Sequence, residues 1–230
     1  MSAHRRIDLP SPNHGPRAAG GAVELLILHY TGMPTAGQAL ARLCDPDAQV
    51  SAHYTVDEDG TVYAHVPEDR RAWHAGRSSW RGAGDVNGRS IGVEIVNPGH
   101  EFGYRPFPSV QMDSVATLCR AIMGRHGIAA AEVLGHSDVA PSRKEDPGEL
   151  FDWPGLAAQG IGLWPTPSQA DEGPCSPTEV TALLGRYGYD PAEPKALLAF
   201  QRHFHPQALT GAPDAETVRR LRALVRMTGR

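Results

Sequence analysis

Short apolar runs and longer periodic segments alternate along the first two thirds of the chain. Residues 23–28 form a mostly apolar run that ends at His29, and residues 91–96 form a second run, so both predict buried strands. Between 109 and 127, apolar residues recur mostly at three- and four-residue spacing, which predicts an amphipathic helix. A brief apolar run at 133–134 predicts a further strand. The alternation predicts an α/β fold, with a mixed central sheet flanked by helices.

Two shorter signals belong to the same part of the chain. Segments 54–56 and 61–64 flank an Asp-Glu-Asp-Gly turn, which is typical of a β-hairpin. Residues 39–43 predict a short helix. In such a fold we expect the functional residues at one edge of the sheet, on the loops that follow its strands.

The pattern changes in the last third. The segment from 164 to 177 contains four prolines and no apolar period, so it predicts a semi-extended linker at 165–177. This divides the chain into a first domain at 1–164 and a second at 178–230. The second domain is predicted to be a small three-helix unit, with helices at 178–187, 194–205 and 214–225.

Composition limits the possible functions. The 230 residues are 40% hydrophobic, which suffices for a proper core, and they carry a net charge of -4 with a pI near 6.2. No clustered basic block is present, which argues against a nucleic-acid partner. The three cysteines lie far apart and outside any Cys-x-x-Cys pair, so neither a disulfide framework nor a thiolate zinc site is predicted.

No export or membrane signal is found in the sequence. Residues 1–10 include basic side chains but lack the apolar run of a signal peptide. No later stretch approaches the ~20 apolar residues of a membrane span. We therefore expect a cytoplasmic location, with the periplasm or cell envelope as the alternative. We also expect a monomer.

Reactive residues are most concentrated between positions 135 and 148. His136, Lys144 and Asp146 lie within eleven residues of one another, and His29 could supply a third ligand from the end of its strand. Two histidines, an aspartate and a water would complete the tetrahedron of a catalytic zinc. Taken singly, His29 could instead be a core histidine and Asp146 a turn cap. Lys144 could be a surface cation, although the chain has only one other lysine, Lys195.

Glu94 stands within the otherwise apolar run at 91–96. A buried carboxylate is costly unless it is paired or functional. Its presence there indicates either a catalytic group or a structural ion pair.

These residues, read with the segments at 51–54 and 90–97, resemble the zinc-dependent N-acetylmuramoyl-L-alanine amidases. That family includes the phage lysozyme-amidases and the peptidoglycan-recognition proteins, and the resemblance covers roughly residues 10 to 165. It implies one zinc ion per chain, held by His29, His136 and Asp146. It also implies Glu94 as general base and Lys144 as the group that stabilises the oxyanion.

The resemblance extends to a substrate groove. Residues 72–76 are similar to the family's groove-lining segment, and the substrate-binding residues that it implies are His53, Trp73, His74, Trp80 and Asn87. For His53 a structural role beside the ligands is the alternative, and Trp73 could equally belong to the core.

The unit at 178–230 looks like the small peptidoglycan-binding domain often fused to amidases, although a cap that only packs against the first domain would show the same pattern. The expected reaction is hydrolysis of the amide between N-acetylmuramic acid, or its anhydro form, and L-alanine of stem peptides. The expected partners are peptidoglycan fragments. The alternatives are a recognition protein that binds peptidoglycan without cutting it and a zinc hydrolase for a different amide.

Overall fold

The computed structural model describes residues 5–18 and 21–230. The strands in this part of the chain are β1 (Arg6–Asp8), β2 (His14–Pro16), β3 (Leu25–Tyr30), β4 (Tyr54–Val56), β5 (Val62–Ala64), β6 (Arg70–Ala72), β7 (Ser90–Ile95) and β8 (Val133–Gly135). The α-helices are α1 (Ala36–Cys44), α2 (Gly99–Phe102), α3 (Ser109–His126), α4 (His136–Val139), α5 (Trp153–Ala157), α6 (Pro177–Tyr187), α7 (Ala196–Phe204) and α8 (Ala215–Thr228). Short 3-10 turns occur at Pro46–Ala48, Val86–Arg89, Ala130–Glu132 and Gln169–Asp171.

The central sheet is mixed, which confirms the predicted α/β fold. Its strand order is β1-β5-β4-β7-β3-β8, and β2 pairs with β6 in a separate two-stranded sheet. Strand β3 is parallel to both neighbours, β7 and β8, whereas β4 and β5 form the predicted antiparallel hairpin. Parallel strands end at the same edge, so the loops after β3, β7 and β8 meet there.

Strand β3 is buried on both faces, which explains its continuous apolar run. Because successive side chains of a strand point to opposite faces, Leu26 and Leu28 join the apolar cluster under α3 and α5. Leu25 and Ile27 join a second cluster on the other face. His29 continues this second face into the edge where the strands end.

The three C-terminal helices cover the second face. Phe200, Phe204 and Leu221 share one apolar cluster with Ile27 and Leu134 of the sheet. The predicted linker contains a 3-10 turn whose buried Asp171 binds Arg226 of α8 at 2.8 Å. A common core therefore crosses the predicted domain boundary, and the independence of the unit at 178–230 stays a prediction.

A buried polar cluster also joins the two parts of the chain. The carboxylate of Asp138 in α4 accepts hydrogen bonds from Tyr189 Oη at 2.5 Å, His203 Nδ1 at 2.7 Å and Gly135 N at 2.7 Å. The His203 ring is stacked between Trp153 and Phe204, with ring centroids 3.7 Å apart on each side. These bonds fix α4, the helix that begins at His136, against α7.

No helix within residues 5–18 and 21–230 is both long enough and apolar enough to cross a membrane.

Tyr189→Phe should reduce the free energy of unfolding by about 1–3 kcal/mol, because it leaves one buried oxygen of Asp138 without its donor. Chemical denaturation followed by fluorescence measures the change. Tyr63→Phe, at a partly exposed tyrosine of β5, is the control and should change stability by less than about 0.5 kcal/mol. Equal stability of the two variants would show that the cluster around Asp138 does not stabilise the fold.

Candidate metal and substrate site

Two adjacent parallel strands deliver the histidines of the site. His29 lies near the end of β3, and His136 follows β8 directly as the first residue of α4. Leu28 is paired with Gly135 across these strands, so the two histidines emerge side by side. Asp146 reaches them from the loop after α4, where the backbone carbonyl of Asp146 accepts a hydrogen bond from Ser137 N at 2.9 Å.

The three predicted ligands converge in a buried space. His29 Nδ1 lies 2.9 Å from both His136 Nδ1 and Asp146 Oδ2, and His136 Nδ1 lies 3.0 Å from the same carboxylate oxygen. All three side chains are buried, and together they form a group that fits a metal ion. His136 Nε2 donates to the carbonyl of Ala75 at 3.1 Å, which leaves the lone pair of Nδ1 for a metal.

The electrostatics of the group favour a cation. Burial, reinforced by His136, lowers the pKa of His29 to about 4, so this imidazole is neutral at pH 7 and can act as a ligand. Burial alone would raise the pKa of Asp146, but the contacts with His136 and His29 outweigh it and hold that pKa below its usual range. Two imidazoles and one carboxylate with an open fourth position form the ligand set of a catalytic metal site.

Glu94 lies beside the group on the neighbouring strand. It pairs in register with His29, so both side chains occupy the same face of the sheet. Its Oε2 atom is buried and has no hydrogen-bond partner among the described residues. Burial, and after it the charge of Asp146, raises the pKa of Glu94 well above its usual value, while Lys144 opposes this effect. A structural ion pair would satisfy this oxygen, so its lack of a partner favours the catalytic alternative.

A cavity of about 540 Å³ opens over these residues. Lys144, Trp73 and His74 contribute to its lining beside the three candidate ligands and Glu94. Further charged side chains of its wall are Arg42, Glu101, Arg143, Glu145, Lys195 and Arg202.

Part of this wall comes from α7 and from the residue just before it. The sequence did not indicate this contribution. Lys195, Leu198 and Arg202 line the cavity, and buried Arg202 lies 3.4 Å from Glu145 and 3.7 Å from Glu149. Nothing local in the sequence marks these residues, because they are about fifty positions away from the loop that they contact.

The predicted substrate residues divide into two groups. Trp73 and His74 line the cavity, so contact between them and a substrate stays a prediction. The other three, His53, Trp80 and Asn87, do not line this cavity, and their contact with a substrate likewise stays a prediction.

Each of these three is held elsewhere by its own contacts. Trp80 is fully buried, with its ring edge-to-face against Tyr187 and Tyr189 at 5.4 and 5.3 Å. Asn87 Oδ1 accepts hydrogen bonds from the backbone of residues 74 and 75, at 3.1 and 2.8 Å. His53 Nδ1 accepts from Gly92 N at 3.0 Å, which agrees with the structural alternative for this residue.

The fold and this site define a mixed α/β protein with a buried His-His-Asp metal group in a polar cavity, the arrangement of a metal-dependent hydrolase. A family model described as N-acetylmuramoyl-L-alanine amidase matches residues 19–149. The chain belongs to this family.

Individual relatives agree with this assignment. N-acetylmuramoyl-L-alanine amidase AmiD of Escherichia coli (strain K12) is 38% identical over 93% of this chain and 86% of its own length. The 1,6-anhydro-N-acetylmuramyl-L-alanine amidase AmpD of Enterobacter cloacae is 34% identical over 63% of this chain and 84% of its own length.

Two solved structures extend the similarity to the C-terminal helices. The complex of E. coli AmiD with the substrate anhydro-N-acetylmuramic acid-L-Ala-D-gamma-Glu-L-Lys has a TM-score of 0.81 at 36% identity and covers 93% of each chain. AmpDh3 from Pseudomonas aeruginosa has a TM-score of 0.81 at 31% identity and covers 90% of this chain and 93% of that one.

We expect the purified protein to contain one divalent cation per chain, and we expect its binding to require all three side chains of the metal group. His29→Ala, His136→Ala and Asp146→Ala should each remove it, because two remaining ligands do not hold a metal through purification. Elemental analysis of the dialysed proteins measures the metal content. His100→Ala, at an exposed histidine of the same cavity wall, is the control and should keep the metal. Retention of metal by the Asp146 variant would contradict its assignment as a ligand.

Proposed function

We propose that the protein is a zinc-dependent enzyme that hydrolyses the amide bond between N-acetylmuramic acid and the L-alanine of peptidoglycan stem peptides, in cell-wall turnover or recycling. The convergence of His29, His136 and Asp146 beside Glu94 carries this proposal, since Glu94 Oε2 is buried and has no hydrogen-bond partner in the part of the chain that the structure describes. The names of AmiD and AmpD and the substrate bound in the AmiD structure support the choice of amide.

The residues divide the chemistry between them. A zinc ion held by the two histidines and Asp146 would polarise the scissile carbonyl and acidify water. Glu94 accepts the proton of the attacking water and passes it to the leaving nitrogen as the C–N bond breaks. Its raised pKa suits this second role, because the group then holds the proton until the nitrogen takes it. Lys144 places positive charge where the carbonyl oxygen becomes negative.

The charges of the cavity suit an anionic peptide. Arg42, Arg143 and Lys195 lie around the wall in addition to Lys144, whereas Arg202 is paired with Glu145 and Glu149. The stem peptide in the AmiD complex contains a γ-linked glutamate, whose α-carboxylate is free. We assign the binding of such carboxylates to these cationic side chains of the wall. Lys195 is the main candidate, because its side chain is exposed and therefore accessible to a peptide.

The C-terminal helices have two proposed roles. Their resemblance to peptidoglycan-binding domains supports a contact with glycan outside the cavity. Their packing against the sheet, and the position of Lys195 and Arg202 in the cavity wall, support a role in shaping the site. The match to AmiD extends over these helices, whereas the match to AmpD covers 63% of this chain.

The location and the oligomeric state stay predictions. The expected form is a cytoplasmic monomer that acts on anhydro-muropeptides during recycling, and the alternative is action in the cell envelope. Preference for the anhydro form of the sugar would support the recycling role.

Mass-spectrometric product analysis of muropeptides, in anhydro and reducing forms, tests the reaction. The zinc-loaded protein should release free stem peptide, and Glu94→Gln should be slower by about 10²–10⁴-fold, because an amide cannot accept the proton. Glu101→Gln, at an exposed glutamate of the same wall, is the control and should retain activity. Binding of muropeptide without release by the zinc-loaded wild type would favour the recognition protein. Release from simple N-acyl alanines at the same rate would favour a hydrolase for a different amide.

The only two lysines of the chain should separate catalysis from binding. Lys144→Met should lower kcat by about 10²–10³-fold with little change in KM, because its charge stabilises the transition state more than the ground state. Lys195→Met should raise KM with little change in kcat, because its charge binds the peptide equally in both states. Steady-state kinetics on one muropeptide measures both. The same effect on kcat in both variants would contradict the separate roles.

A further inference from the structure

A chain of buried hydrogen bonds extends from His29 away from the metal group. His29 Nε2 lies 3.0 Å from His74 Nδ1, and His74 Nε2 lies 3.1 Å from Ser90 Oγ. Ser90 Oγ lies 2.6 Å from the carbonyl oxygen of Val86. The three side chains that form this chain of contacts are buried, so water does not compete for them.

The last contact fixes the direction of the others. A carbonyl oxygen only accepts, so the hydroxyl proton of Ser90 goes to Val86. Ser90 Oγ then accepts from His74 Nε2–H, which makes His74 Nδ1 the unprotonated nitrogen of a neutral ring. His74 Nδ1 therefore accepts from His29 Nε2–H, and the lone pair of His29 Nδ1 is directed to the metal group.

The opposite direction would disable the ligand. If His74 carried its proton on Nδ1, it would donate to His29 Nε2, and the neutral His29 ring would carry its own proton on Nδ1. That atom lies 2.9 Å from His136 Nδ1 and from Asp146 Oδ2, at the place a metal would occupy. The tautomer of His74 thus decides whether His29 presents a lone pair or a proton.

The surroundings of His74 keep its ring in this position. Gly92 of β7 lies against it, and a Cβ at position 92 would come within 2.4 Å of His74 Cγ. Asn87 Oδ1 holds the backbone N–H groups of His74 and Ala75. His74 and Ala75 together contact both histidine ligands, because His74 contacts His29 and the Ala75 carbonyl accepts from His136 Nε2.

We propose that His74 is a positioning residue for the metal site, which fixes His29 in the tautomer that binds metal through Nδ1 and is itself fixed by Ser90. The proposal rests on the metal site of the proposed function but not on the identity of the substrate. It explains why position 92 is a glycine although strand β7 is extended there.

Zinc affinity, measured on the full chain by competition with a chelator, tests the proposal. His74→Phe keeps a ring over Gly92 but removes the acceptor, and it should weaken zinc binding on the order of 10- to 100-fold. His74→Asn can place its amide oxygen where Nδ1 stood and should recover most of the loss. Gly92→Ala should weaken binding by displacing the ring. His65→Phe is the control. His65 is also buried, but its hydrogen bonds go to Leu9 O and Thr55 Oγ1 and not to the metal group, so this variant should leave the zinc affinity unchanged.

Nuclear magnetic resonance of histidine-labelled protein gives a second readout, the protonated nitrogen of each ring. This quantity would not change if His74 had only a structural role. Long-range ¹H–¹⁵N spectra of the wild type should show His74 and His29 protonated on Nε2. Ser90→Ala removes only a hydroxyl and should increase the Nδ1–H form of His74. Wild-type zinc affinity in His74→Phe, or an Nδ1–H tautomer of His74 in the wild type, would overturn the proposal. Absence of zinc binding by the wild type would instead refute the proposed function.

Discussion

Three acceptor atoms that face one another in a buried space set the main constraint on this structure. His29 Nδ1, His136 Nδ1 and Asp146 Oδ2 lie 2.9–3.0 Å apart. Converging lone pairs repel, and burial removes the water that would otherwise solvate them. The pKa of His29 falls to about 4, so its protonation does not supply a compensating charge at neutral pH. A metal cation would supply that charge and would use all three lone pairs.

The sheet meets this constraint through parallel pairing. Strands β8, β3 and β7 end at one edge, and their ladder places His29 next to both Glu94 and the start of α4. A shift of one residue in β3 would turn His29 to the opposite face, into the apolar cluster under α3. The residues from Leu25 to Leu28 pack alternately into two apolar clusters. This packing therefore fixes the register of β3, and with it the position of His29.

The sequence was sufficient for the fold class and for the residues that converge at the site, for identifiable reasons. The apolar runs have the length and continuity of strands that are buried on both faces, and the family resemblance assigns His29, His136 and Asp146 as ligands. The substrate residues stay predictions, and the structure shows where their side chains lie. Trp80 and Asn87 follow the groove segment closely in sequence, but proximity in sequence does not show which face a side chain takes. Trp80 turned to the core, and Asn87 turned to the backbone of the groove segment. Gly92 in an apolar strand was a local signal of a close neighbour, which is the His74 ring.

The C-terminal helices connect the core to the site, which bears on their two proposed roles. The face of the sheet formed by Leu25, Ile27 and Leu134 requires an apolar cover, and α6, α7 and α8 provide it. Through Asp138 the same helices contact α4, which begins at His136, a proposed ligand. Arg202 contacts the loop that carries Asp146. Helices that contact the supports of two ligands cannot move far without disturbing the site, so a glycan bound to their outer surface would be held in a fixed relation to the scissile bond. Binding of glycan and completion of the cavity are therefore compatible roles of the same packed helices.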